Sequence, residues 1–157
     1  MDNEKLKSLY HKHVYAVAVA RGWSGEVEGS PYYKAWLHAE QLLRLDILLI
    51  EHRKKFATPW EPLLGRRALN HLLFVRTGWN PAVITKLSFE DILLGLHQDL
   101  VNLDIPSEIL ELPEYIKQSR SFAIHNQEPH RTALHPLLEQ EWDPTLSEVI
   151  QGIRKPC

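Results

Sequence analysis

Cysteine is almost missing from this chain. One occurs in 157 residues, Cys157, so no intrachain disulfide can form and no disulfide framework holds the fold. Long apolar runs are missing as well. The longest candidates, Tyr15–Ala20 and Leu45–Ile50, the second interrupted by Asp46, are short and fall far below the roughly 18 residues that a membrane-spanning helix needs. The opening Met1-Asp-Asn-Glu lacks the basic start and apolar stretch of a secretory signal. A cytoplasmic protein is the expectation, with no membrane partner. The seven glycines are scattered. They form neither a phosphate-cradling loop nor a Gly-x-Ser-x-Gly nucleophile turn. Cys157, behind Pro156 at the terminus, is poorly placed to serve as a nucleophile. With no catalytic motif, the chain is expected to be non-enzymatic and to hold no cofactor.

The apolar fraction of 44% and charged fraction of 24% are those of an ordinary globular protein, which excludes a disordered chain. Residues 3–20 carry Leu6, Leu9, Tyr10, Val14, Val17 and Ala18 at helical spacing, behind a cap at Asp2 or Asn3. Residues 21–30 hold three glycines and two serines and read as a loop. Ser30-Pro31 opens a helix to about Lys55, with serine as cap and proline at the first helical position. The stretch Leu42–Ile50 is apolar on more than one face. It is either the central helix of the domain or the seam of a homodimer.

Thr58-Pro-Trp-Glu61 matches a capping box. A helix is expected from there or from Pro62, through Leu63, Leu64, Leu69, Leu72, Leu73 and Phe74, to Thr77. Gly78 ends it in the left-handed conformation. Asn80-Pro81 starts a short helix to Leu87, and Ser88 caps another that carries Phe89, Ile92, Leu93, Leu96 and Leu100. Pro106, Pro113, Pro129, Pro136 and Pro144 then break the pattern. Short helices are expected at 107–112, 113–119, 135–142 and 146–154, the last behind a second capping box, Thr145–Glu148, with a loop over 120–133. No strand pattern is found, since the alternation of Ala16–Ala20 lies inside a helical one. The expected fold is an all-α single-domain helical bundle, with about four main helices, several short ones and no β-sheet. Residues 1–119 form its core and 120–157 a proline-interrupted segment packed on the same domain.

The net charge of −2 conceals an asymmetry. Residues 51–76 carry six cations against two acids, net +4; residues 77–151 carry four cations against twelve acids, net −8. Acidic residues punctuated by aromatics suit a basic protein partner, because charge steers encounter and aromatic side chains anchor it. Tyr115, Glu139, Glu141 and Trp142 are therefore the expected protein-binding residues. The class is an interaction or regulatory protein of inhibitor, immunity or adaptor type.

The alternative is a DNA-binding regulator. Residues 63–87 resemble a helix-turn-helix in spacing, with Arg66, Arg67, Arg76, Asn80, Thr85 and Lys86 as its nucleic-acid contacts. Against it stand the bulky Phe74 at the helix crossing, the acids that follow, and a pI near 6.5. Trp79 is then read as a core anchor. His125, His130 and His135 recur every five residues, a spacing that does not align on a helix, and ordinary loop histidines are the preferred reading over a zinc site.

Overall fold

A computed structural model describes residues 2–23, 32–118 and 136–155. All regular structure among them is helical, with no strand, and no helix is long and apolar enough to cross a membrane. The three histidines at 125, 130 and 135 and the loop over 120–133 lie outside the described residues. The chain divides into two compact units: Met1–Leu42 with Ile105–Trp142, and Leu43–Asp104 with Asp143–Cys157.

In the first unit, α1 (Asn3–Arg21) starts where the Asp2 carboxylate accepts from the Lys5 amide at 2.8 Å. It stops at Gly22, whose φ of 66° is accessible to glycine at little cost. Leu9, Tyr10, His13, Val14 and Val17 make its buried face. The first half of α2 (Tyr32–Phe56) packs on that face. The Tyr10 ring meets Trp36 edge-on at 5.4 Å, and its hydroxyl donates to the Trp36 carbonyl at 3.3 Å. Helical backbone at 114–118 buries Ile116, and a 3-10 turn at Glu139–Glu141 follows the buried Leu137.

The second unit holds the C-terminal half of α2 with α3 (Arg66–Thr77), α4 (Pro81–Ile84), α5 (Phe89–Gly95), α6 (His97–Val101) and α7 (Thr145–Gln151). Leu43, Leu45, Leu49, Leu69, Leu72, Leu73, Ile84, Ile92 and Leu96 form the core. Each buried leucine or isoleucine contributes about 1.5–3 kcal/mol. Asn80 caps α4, Ser88 caps α5 and Gly78 closes α3, as their residue types lead one to expect. Leu42, Leu43, Leu45, Leu49 and Ile50 are all buried within the single chain. Ile47 and Leu48 of the same stretch stay partly exposed.

Several expected boundaries are corrected. The helix after Thr58 begins only at Arg66. Thr58–Glu61 is a tight turn, with backbone bonds in both directions at 2.9 and 3.1 Å, and the Thr58 hydroxyl accepts from the Glu61 amide. A capping box and a turn share this local hydrogen bond; Pro59 and Pro62 deny it a helix to continue into. The expected helix through 89–101 breaks at Leu96 into α5 and α6. Residues 107–110 make only a turn, and 139–141 only a single 3-10 turn, because prolines bracket both. α7 ends at Gly152. Its capping box does not form: Thr145 bonds to Asp143 instead, and Glu148 turns inward.

Candidate functional site

Tyr115 and Glu139 lie exposed on the first unit, as a binding surface requires. Glu141 and Trp142 do not. They are 1% and 6% exposed, so they leave the acidic surface expected of them. The reason is a set of partners distant in sequence. One Glu141 oxygen accepts from Arg21 Nε at 2.5 Å and lies 3.0 Å from His38 Nδ1. The other accepts from Arg21 Nη2 at 3.2 Å and the Leu138 amide at 2.7 Å. Burial alone raises a carboxylate pKa, but the hydrogen bonds from His38, Arg21 and Leu138 outweigh it and bring Glu141 down to about 2. Arg21 also donates to the Pro136 carbonyl at 2.7 Å. This cluster pins the 136–142 segment to α1 and α2, and its buried carboxylate serves structure.

The residues expected to contact nucleic acid are mostly occupied by protein groups. Arg66 donates to the Leu87 carbonyl at 2.6 Å and to Asn70 at 3.2 Å. Arg67 pairs with Glu61, and Arg76 with Asp99 at 3.0 Å. Asn80 caps the Ala82 amide, and the Thr85 hydroxyl donates to the Ala82 carbonyl. Lys86 is exposed. α4, in the place of a reading helix, is a single turn of four residues.

A different surface emerges on the second unit. His52 and His71 meet across α2 and α3, with Nε2 and Nδ1 2.7 Å apart. The Phe56 ring lies tilted at 4.7 Å from His52 and meets His71 edge-on at 5.6 Å, and Phe74 lies 6.2 Å from His71. The two phenylalanines are partly exposed and the histidines fill the space between them. Arg67, His71 and Phe74 recur at i, i+4 and i+7, so they share one stripe of α3. Val75 and Trp79 extend the exposed apolar surface toward the end of the helix. Trp79 is 51% exposed, not the core anchor expected, because α3 buries Leu69, Leu72 and Leu73 on its other side.

Burial lowers the His52 pKa to about 4, helped by His71, Arg76, Arg53 and Lys55. No group of three or more His, Cys, Asp or Glu side chains that could hold a metal ion occurs among the described residues.

The connection 57–65 presents the most exposed large side chain of this surface. Trp60 is 84% exposed, at the tip of the Thr58–Glu61 turn. The turn is fixed by its two backbone bonds, by the prolines on either side, and by Glu61 bound to Arg67. Leu63 follows at φ 58°, buried, and Gly65 at φ 58°. A left-handed leucine costs about 1–3 kcal/mol, and such strain persists where the surroundings impose it. The Gly65 amide donates to the buried Glu148 at 2.6 Å, which sets that carboxylate at the positive end of α3. The sequence signal for this surface is a tryptophan held between two prolines in the basic middle of the chain, a pattern that fits a helix start equally well.

No family model matches the chain, and neither the curated proteins nor the solved structures contain a match.

Proposed function

We propose that this chain is a non-enzymatic, protein-binding regulatory or adaptor protein, and that it docks its partner on the second unit. The docking face runs from Trp60 along the Arg67–His71–Phe74 stripe, with Phe56 beside it. The observation that carries this reading is Trp60: a large aromatic held out into solvent on a turn with little freedom left to lose. Exposed aromatics on fixed backbone are the side chains that dominate binding energy, because burying them is favourable and ordering them costs little. The acidic surface of the first unit keeps Tyr115 and Glu139 but lacks Glu141 and Trp142, both buried, so it is the weaker face.

The test is capture of partners from native lysate by the full chain and by two surface variants. Trp60→Ser with Phe74→Ser is expected to lose a protein that Tyr115→Ser with Glu139→Lys retains. Loss in the second variant and retention in the first would move the site to the first unit. Equal capture by all three would overturn the reading.

A further inference from the structure

We infer that the partner seated on this face is an acidic protein segment carrying apolar or aromatic side chains among its carboxylates. The inference rests on the docking face proposed above and adds the chemistry of what docks there.

Phe56, Trp60 and Phe74, all exposed, form the apolar half of the face. An occupant gains from covering them only if it brings apolar side chains of its own. The charged half comes from the rim. The Lys55 ammonium lies 5.6 Å from the Phe56 ring centre and has no carboxylate partner among the described residues. A partner that covers Phe56 strips water from Lys55, and a desolvated cation needs an anion opposite. Arg67 adds a further cation in an exposed ion pair with Glu61. Such a pair holds weakly, so the guanidinium can turn to a partner's carboxylate without leaving a buried charge behind. A nucleic-acid strand also brings anions and rings. Its phosphates follow one another continuously, however, and Glu61 stands beside Arg67 and repels such a run. A peptide's carboxylates can be spaced around it.

The test uses the full chain labelled with 5-fluorotryptophan, which gives one fluorine resonance for each of its five tryptophans. The Trp60 resonance is assigned with Trp60→Phe. The probes are a random glutamate–tyrosine copolymer, a lysine–tyrosine copolymer of the same length, and a single-stranded oligodeoxynucleotide. The expected result is a shift of the Trp60 resonance with the glutamate–tyrosine copolymer alone. Its Kd should weaken about tenfold between about 50 and about 300 mM salt. Lys55→Glu with Arg67→Glu should weaken it at least as much, with the helical signal by circular dichroism unchanged. A shift with the lysine–tyrosine copolymer or the oligonucleotide in its place overturns the inference, as does a Trp60 resonance that none of the three moves. If lysate capture still depends on Trp60 while the glutamate copolymer fails, the face stands and the acidic partner falls. If capture does not depend on Trp60, the face itself falls.

Discussion

Replacing Glu141 by alanine is expected to destabilise the protein by about 3–5 kcal/mol at neutral pH. The carboxylate is fully buried and satisfies Arg21, the Leu138 amide and His38 together. Its removal leaves a guanidinium only 18% exposed and an amide without their acceptor. Glu141→Gln keeps the shape and part of the hydrogen bonding, so a smaller loss is expected from it. The pH dependence separates charge from shape. The folded pKa lies near 2, below the ordinary value of 4.5. The folded state therefore holds fewer protons than the unfolded state between those values. The contribution of Glu141, on the order of 3 kcal/mol, is fully present above about pH 4.5 and is lost as pH falls through about 2. Urea unfolding at a series of pH values should show the gap between wild type and Glu141→Gln narrowing over that window. A gap that stays constant to pH 2 would mean the ionised carboxylate is not what the cluster stabilises.

The second large effect is expected at Arg53. It is 3% exposed, donates to Gln151 at 2.8 Å and Ser147 at 3.0 Å, and so ties α7 to α2. Burial pulls its guanidinium below the ordinary arginine range, while Asp46 and Glu148, both buried, hold it up. Arg53→Met fills the same space but takes the donors from Gln151 and Ser147 and removes the buried positive charge that Asp46 and Glu148 favour. A loss of about 3–5 kcal/mol is expected. Glu148 keeps its ion pair with the more exposed Arg154 at 2.7 Å. Hydrogen exchange gives the local reading: amides of α7 and of the first turn of α3 should lose protection, while those of α1 should not. Uniform loss in both units would show that Arg53 acts on global stability and not on the attachment of α7.

Much of the helical fold is legible in local chemistry. Asp2, Asn80 and Ser88 cap the helices they precede, and Gly78 ends α3, because each acts on backbone groups within a turn of itself. The surplus hydrophobicity of Leu42–Ile50 reads as burial on most sides, and Leu42, Leu43, Leu45, Leu49 and Ile50 are buried while Ile47 and Leu48 are half-buried. Reading fails where a residue answers to distant partners. Glu141 looks like one more acid in an acidic stretch, and nothing near it in sequence announces Arg21 or His38, 120 and 103 residues away. Glu148 fits a capping box by spacing, yet its carboxylate faces Gly65 and Arg154. Trp60 is obscured differently. Its turn and a helix start share the same first hydrogen bond, and the left-handed Leu63 that separates them is imposed by burial rather than by its own preference.

The central claim, that a protein docks over Trp60, is tested most directly by site-specific crosslinking in the native host. A photoreactive benzoylphenylalanine replaces Trp60 in one strain and Tyr115 in another. The account predicts a discrete crosslinked protein from position 60 and none from position 115. A crosslink at 115 with none at 60 would contradict it.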